Sequence, residues 1–495
     1  MPPRPPDPSD ADALDRLRSA FEASGYTTEE LRALFSEGAG EAHLEGWSNP
    51  ARRRIEGKGP LGTLARLFAL GLDVHADDLD AVPKADLADW VTTGVVSMHR
   101  KMARSNVLIE PVRITGPRML LAADVPQGPR RSLFADFVPG TAGFSSQLAM
   151  MTPRRPFSRA IDIGTGQGIQ AVLASEHCEQ VVATDVNPRS LAFARFNLAL
   201  NGIAKVDLRR GDRYDPVEGE QFNLIVSNPP VVVSPSSTVR FRDSGMPGDT
   251  ISSTTTTGAA DHLSPGGWAF VICQWVHVDG ESWQDHVGAW VGGTGCDAWA
   301  VQLRAVDTVA HALEWLHELG KTDPSEADRE FDRWMSYFDE QRIIGIGSGF
   351  VVLRKSEGDQ GWYKADELDA EITVGADETI AGMFAAQDWL SAHPGAGDVL
   401  DASWRLAETA SLFPGSGSNS PVLRQAAGLR HSVPITQDHA EIVSKCDGSW
   451  SLRSIFDEHW KGRGRVPSQW HEEDTETTFR QLAGAGFVVR APESA

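Results

Sequence analysis

Between residues 158 and 355 the chain alternates two hydrophobic periods, and this alternation constrains its fold more than any other feature. Short apolar runs (RAIDIG, VVATDV, VDLRRGD, FNLIVSNPP, WAFVICQWV) are separated by segments of helical spacing such as IQAVLASEH and RSLAFARFNLALNG. Strands and helices taking turns in this way form βαβ units, and such units make a parallel sheet covered on both faces. The expected class is α/β, with a Rossmann-like doubly wound sheet. The last two apolar runs, CDAWAVQLRAV and GFVVLRK, flank an acidic helical insertion (Pro324–Asp339) that would let them pair antiparallel.

The chain of 495 residues has room for about three domains. Residues 1–10 are Pro-rich and expected to be disordered. Residues 11–97 carry amphipathic helical patterns (ALDRLRSAFEASGY, TEELRALF, GPLGTLARLFALGL, KADLADWVTTG) and read as an N-terminal helical domain. Residues 98–150 read as a β-rich connector, and 151–356 as the α/β domain. Residues 357–428 read as an acidic linker with helices, in which LFPGSGSNSP is a linker by composition. Residues 429–495 end in a helix, Gly-x-Gly and FVVR, the outline of a winged-helix-like α+β domain.

Sixty-eight acidic against 46 basic residues give a net charge of −22, which opposes indiscriminate binding to phosphate backbones. A local basic groove stays open as an alternative, through Arg52–Arg54, Arg100–Arg104, Arg130–Arg131, Arg154–Arg155, or Lys461, Arg463 and Arg465. No apolar run approaches the roughly 18–20 residues of a membrane span. The acidic first residues lack a signal-peptide core. Four widely spaced cysteines (Cys178, Cys273, Cys296, Cys446) without a CxxC pair fit a cytoplasmic protein. The histidines show no HxH or HExxH spacing, so no metal site is expected.

The chemistry concentrates at the ends of the apolar runs. Asp162 and the loop Gly164-Thr165-Gly166-Gln167-Gly168 bring bare backbone toward a nucleotide-like ligand, beside the helix opening at Ile169. Asp185 ends the next strand, where a carboxylate accepts from ribose hydroxyls; that geometry suits NAD and S-adenosylmethionine alike. Asp212, in Arg210-Gly211-Asp212-Arg213, ends the third strand, near where an adenine amine would sit. The fourth ends on Asn228-Pro229-Pro230-Val231. Hydride chemistry has no use for that turn, whereas methyl transfer to a planar amine does. The Asn228 side-chain oxygen and the Pro229 carbonyl would accept from an NH₂ group and push its nitrogen toward sp³. Two prolines keep the turn rigid.

D-I-G-T-G-Q-G, A-T-D-V-N-P, N-G, G-D and I-V-S-N-P-P, in this order over about residues 135–275, resemble the class I S-adenosylmethionine-dependent methyltransferases of the Asn-Pro-Pro type. These include release-factor glutamine, ribosomal RNA guanine-N2 and adenine-N6 methyltransferases. The resemblance implies a Rossmann-like methyltransferase sheet with S-adenosyl-L-methionine as cofactor. It implies that Asp162, Gly164, Thr165, Gly166, Gln167 and Gly168 hold the methionine part, Asp185, Val186 and Asn187 the ribose side, and Asp212 and Arg213 the adenine. Asn228 would border both cofactor and acceptor, and Asn228, Pro229, Pro230 and Val231 would form the acceptor site. Thr141 and Gly143, in Pro139–Phe144, would belong to the loop closing over the cofactor. Where the family usually has an aromatic residue after Asn-Pro-Pro, this chain has Val231, which forgoes the stacking worth roughly 1–3 kcal/mol per base. Phe241 or Phe144 would have to supply that face.

The expected activity is N-methylation of a macromolecule, with an RNA (or DNA) base as first acceptor and a protein glutamine as second. The alternatives are an S-adenosylmethionine-binding interaction protein without catalysis, a small-molecule methyltransferase, and an NAD-dependent oxidoreductase. A solvated loop or an anion clamp are the two readings of Arg240–Gly245. The sequence assigns no oligomeric state.

Overall fold

The computed structural model describes residues 3–35, 48–114, 116–126, 133–141, 143–236, 238–318, 324–356, 358, 361–369, 371–415 and 420–491. It divides into two units, Met1–Ala149 with Arg154–Glu367, and Met150–Pro153 with Leu368–Ala495.

The first unit is built on an eight-stranded sheet. Its strands are β1 (Phe157–Ile163), β2 (Cys178–Asp185), β3 (Val206–Arg210), β4 (Phe222–Ser227), β5 (Leu263–Val278), β6 (Cys296–Asp307), β7 (Ile343–Lys355) and β8 (Tyr363–Glu367). Their order is β8-β6-β7-β5-β4-β1-β2-β3. The run β3-β2-β1-β4-β5 is parallel throughout. β7 lies antiparallel between β5 and β6, as the helical insertion allows. β8 pairs parallel with β6 in the stretch read from sequence as an acidic linker. Its charges obscured it: an edge strand can carry Lys364, Asp366 and Glu367 because one side of its ladder is open, and Asp366 accepts from Trp299 Nε1 at 2.7 Å.

The helices of the sheet are α1 (Ile169–Ala174), α2 (Pro188–Leu200), α3 (Thr250–His262), α4 (Trp283–Val291), α5 (Thr308–Glu318) and α6 (Pro324–Glu340). The sequence sets their ends. Asn187 caps α2 by accepting from Arg189 N at 3.0 Å, Pro188 takes the first turn, and Gly202 follows the helix at φ 69°. One core joins Ile161, Ile163, Val182, Ile225 and Val271 to α3 and α4, and Cys273 fills a buried place within it. α1 and α2 contribute Val172, Leu173 and Leu198 to a separate core.

The N-terminal helices do not close a core of their own. Leu17, Phe21, Tyr26, Phe68 and Trp90 are buried together with Phe193, Phe196 and Leu200 of α2. Of the Pro-rich start, residues 1–2 lie outside the described residues; in the rest Pro6 is buried and Asp7 N donates to Thr93 O at 2.8 Å. Prolines lose little backbone entropy on being fixed, so few contacts suffice to hold such a segment. The connector contains an antiparallel pair, Val107–Val112 with Met119–Asp124. Buried Asn197 grips it by accepting from Ala122 N (2.7 Å) and donating to Ala122 O (2.9 Å).

Apart from Met150–Pro153, the second unit runs from Leu368 to Ala495. Val422–Gln425 pairs with both Ala410–Phe413 and Ser432–Pro434. The run read as a linker starts within the Ala410–Phe413 strand, at Leu412 and Phe413, and its residues 416–419 lie outside the described residues. Ser403–Leu406 is the central strand between Asp447–Ser451 and Val488–Arg490, and helices Gln437–Val443, Leu452–Gly462 and Gln469–Gly484 share a core with Trp404, Phe456, Phe479 and Phe487. Among the described residues, no helix is long and apolar enough to cross a membrane.

Candidate active site

The strand order reverses between β1 and β4, and at such a switch point two adjacent strands send their connections to opposite faces and open a crevice. The glycine loop leaves β1 there and the Asn-Pro-Pro turn leaves β4. A Cβ placed on Gly164 would lie 3.8 Å from the Asn228 carbonyl oxygen, so the two turns adjoin. Gly164, Gly166 and Gly168 all have positive φ (71°, 57° and 95°), and a Cβ on Gly168 would press within 3.2 Å of Ala194 in α2.

Asp162 is buried, and its Oδ2 accepts from Thr165 Oγ1 (2.6 Å) and Ala171 N (3.1 Å). It ties the glycine loop to α1. Burial pushes its carboxyl up to about 7. Asp185 accepts from Gly166 N at 2.9 Å and Asn187 N at 2.7 Å; burial raises its pKa and those donors oppose the rise. Val186 follows with a half-exposed apolar side chain at the carboxyl end of β2. Asn187 is turned inward, donating to Asp136 O at 3.2 Å. Gly211 N donates to Asp185 O at 3.2 Å, which sets the loop after β3 beside the end of β2. Asp212 on that loop is half exposed, 3.2 Å from Arg213, while Arg213 donates to Thr254 Oγ1 at 2.8 Å.

The upstream loop meets the same crevice. Thr141 N donates to half-buried Glu110 at 2.7 Å, and the Gln167 carboxamide lies 2.8 Å from Thr141 Oγ1. Burial raises the Glu110 carboxyl. Gly143 is exposed at φ 53°, and Ala142 lies outside the described residues. Ser145, just beyond, receives a hydrogen bond from Asn228 Nδ2 at 2.6 Å. The Phe144 ring packs edge-on against Phe350 at 5.8 Å, and the Phe241 ring lies tilted against Phe137 at 6.0 Å.

After Asn228, Pro229 is buried and Pro230 and Val231 are half-buried. Val231 bridges to Asp243 and Val232 N donates to Arg242 O at 3.2 Å. Val232 and Val233 enter a core with Trp334, Phe338 and Ile346. That leaves Val231 as the one valine of the three outside it. Arg242 is spent on Asp243 (2.8 and 2.9 Å), both nearly free of solvent, so it belongs to the support of the turn and not to an anion clamp. The basic clusters are dispersed among the described residues. Arg104 pairs with Asp73, Arg155 lies over Phe157, and Arg463 pairs with Glu441; Arg130–Arg131 fall outside them.

Sequence reasoning missed Glu110, Ser145, Gln170, Asn197 and Gln274. Asn197 carried a signal, being polar in the second half of a helix whose other buried positions from Leu191 on are apolar; it also donates to Gln167 O at 2.8 Å. Gln274 lies in a continuous apolar strand, and its Oε1 accepts from Val233 N at 3.2 Å.

His311 of α5 closes the underside. Its Nε2 sits 3.0 Å from Val233 O, its ring lies among Trp315, Trp334 and Phe338, and burial lowers its pKa from 6.5 to about 4. The unfolded chain takes up this proton first, so stability is full above pH 6.5 and falls as pH drops toward 4. Urea unfolding across that window is expected to show a loss of up to about 3 kcal/mol, and His311→Gln is expected to flatten that part of the profile. An unchanged profile in the variant would assign the acid sensitivity elsewhere.

Residues 139–278 match a family model described as "Methyltransferase small domain", and residues 23–106 match one described as "Domain of unknown function (DUF7059)". A release factor glutamine methyltransferase of Xylella fastidiosa (strain 9a5c) is 39% identical over 129 residues, 24% of this chain and 47% of that one. A ribosomal protein L11 methyltransferase of Lactobacillus johnsonii is 33% identical over 94 residues, 18% of this chain and 30% of that one. The chain thus spans about half or less of the length of these relatives. Among solved structures, a methyltransferase from Pyrococcus furiosus aligns at 20% identity over 47% of this chain and 89% of its own, with a TM-score of 0.28.

Proposed function

We propose that this chain, which carries a methyltransferase small domain over residues 139–278, is an S-adenosylmethionine-dependent N-methyltransferase acting on a protein amide. The observation that carries this reading is the contact of the glycine turn with the Asn-Pro-Pro turn at the sheet's switch point. One turn is fit for a cofactor and the other for an acceptor. The relatives named for a release factor and a ribosomal protein favour a protein acceptor. No relative named above supports the nucleic-acid-first order drawn from sequence, and two of the arginines that order would use, Arg104 and Arg463, are engaged in ion pairs.

The residues fit the cofactor. Three glycines at positive φ place no side chain at their own positions in the loop, half-buried Asp185 stands at the end of β2, and apolar Val186 lies beside it. Gly164, Gly166 and Gly168 would face the methionine part, Asp185 the ribose, Val186 and Asp212 the adenine. S-adenosylmethionine supplies an electrophilic methyl group on a sulfonium. Everything else falls to the chain. An amide nitrogen is a poor nucleophile because its lone pair is delocalised. Asn228 Oδ1 and the Pro229 carbonyl would accept its two N–H bonds, and the rigid turn makes that arrangement without reorganisation. Val231 would offer an aliphatic wall.

The test is methyl-label transfer from S-adenosylmethionine to protein, RNA and DNA fractions of a host lysate. Label is expected in a protein band, on a glutamine side chain. Label confined to RNA or DNA would overturn the acceptor assignment. Cofactor binding with no S-adenosylhomocysteine formed in any fraction would favour a non-catalytic binding protein.

A further inference from the structure

We propose that Ser145 is a positioning residue that orients the Asn228 carboxamide, so that the segment closing on the glycine loop also sets the acceptor site. The inference rests on the methyltransferase reading above and deepens it.

Asn228 has little backbone freedom. It follows the last residue of β4, whose Ser227 Oγ donates to Ile163 O at 3.0 Å, and it precedes a proline, which restricts it to extended conformations. Its remaining freedom is in the side chain, where the terminal amide torsion is broad and roughly two-fold. The two settings are opposite in chemistry. One presents Oδ1, an acceptor for the substrate's N–H; the other presents NH₂, which repels it. In the structure Nδ2 donates to Ser145 Oγ at 2.6 Å. A hydroxyl both donates and accepts, so what Ser145 supplies is an anchor that holds the plane of the carboxamide, with Oδ1 left outside that bond.

Ser145 is itself well held. Its carbonyl accepts from Gln170 Nε2 of α1 at 2.8 Å, and Phe144 before it packs on Phe350 of β7. Upstream in the same segment, Thr141 is tied to Glu110 and to Gln167. Thr141 is thus tied to the glycine loop, and Ser145 both to α1 through Gln170 and to the acceptor turn through Asn228. Through Gln170 and Ser145, the helix that opens behind the glycine loop is linked to the Asn228 carboxamide. The chain of contacts is short: Gln167 to Thr141, Gln170 to Ser145, Ser145 to Asn228.

The experiment compares wild type, Ser145→Ala, Ser145→Thr, Asn228→Ala and the Ser145→Ala/Asn228→Ala double variant. It reads kcat and acceptor KM with the labelled fraction found above, S-adenosylhomocysteine affinity by calorimetry, and thermal midpoint. Ser145→Ala is expected to lower kcat about tenfold, the rate equivalent of one ordinary hydrogen bond, with S-adenosylhomocysteine affinity and thermal midpoint unchanged. Ser145→Thr, which keeps the hydroxyl, is expected to recover most of the rate. In the Asn228→Ala background, removing Ser145 is expected to cost nothing further, since the group it orients is gone. Weakened S-adenosylhomocysteine binding with kcat intact would make Ser145 a cofactor-loop residue and overturn the inference, as would losses that multiply in the double variant. A wild-type chain that binds S-adenosylhomocysteine yet methylates nothing would overturn the methyltransferase reading and this inference with it. An active wild type with a fully active Ser145→Ala would overturn the inference alone.

Discussion

Asn228→Ala is expected to cut methyl transfer by two or more orders of magnitude while leaving S-adenosylhomocysteine affinity within a few-fold of wild type. The size follows from what the side chain supplies. Removing one preorganised polar group aimed at a reacting centre typically costs 10²–10³ in kcat, because alanine leaves water or nothing where a fixed dipole stood. The split between rate and affinity follows from location. Asn228 leaves β4, whereas the loop read as the cofactor's is held by Asp162, Asp185 and Asn197, none of which bonds the Asn228 side chain. Single-turnover label transfer alongside calorimetry with S-adenosylhomocysteine reads both quantities. Unchanged turnover would remove the assigned role of the turn. A collapse of cofactor affinity with turnover per bound cofactor preserved would move Asn228 to the cofactor side.

The centre of the parallel half was legible because β1, β2 and β4 carry runs of at least four consecutive buried residues that read as unbroken apolar stretches; edge strand β3, with no buried residue, was marked instead by its place between a helix and the Gly-Asp turn. The site turns were legible for a related reason. Glycine at positive φ and proline at a rigid turn have few substitutes, so the constraint is written in residue type. What escaped was held by relations between distant residues. β8 looks like a charged linker until Trp299 and β6 are set beside it. Helices 11–97 read as a separate domain because their pattern is complete in itself, and only α2's Phe193 and Phe196 reveal the shared core. Ser145 and Gln274 are ordinary polar residues whose roles depend on partners 83 and 41 positions away. A single serine or glutamine carries no mark of that. Arg242 was misleading in the opposite direction: an arginine near a catalytic turn suggests a ligand clamp, and only the adjacent Asp243, buried with it, shows that its charge is already used.

That pair yields the largest expected change in stability. Asp243 has no solvent exposure on its side chain and accepts from Arg242 Nε and NH2, from Ser234 Oγ at 3.1 Å and from Val239 N at 3.1 Å. Asp243→Ala would strip a buried guanidinium of its counter-charge, leaving it only the Trp315 carbonyl at 3.3 Å and the face of the Trp315 ring. Breaking a buried pair from one side costs about 3–5 kcal/mol, much of it the desolvation of the charge left behind. The loss is local in origin, because Val231 bridges to Asp243 and Val232 to Arg242, and the acceptor turn would lose its lateral support. Activity is therefore expected to fall at temperatures where the sheet is still folded. Asp243→Asn, which keeps the shape and one acceptor oxygen, is expected to cost less than alanine. Arg242→Met combined with Asp243→Asn is expected to be milder than the sum of the two single changes by about 1–3 kcal/mol, since the charge and its orphaned partner leave together. Urea midpoints for wild type, Asp243→Ala, Asp243→Asn, Arg242→Met and the double variant, with label transfer measured below each midpoint, decide the matter. A single-variant loss under about 1 kcal/mol, or strict additivity in the cycle, would mean that water reaches the pair and that the turn is supported by Gln274 and the valine core instead.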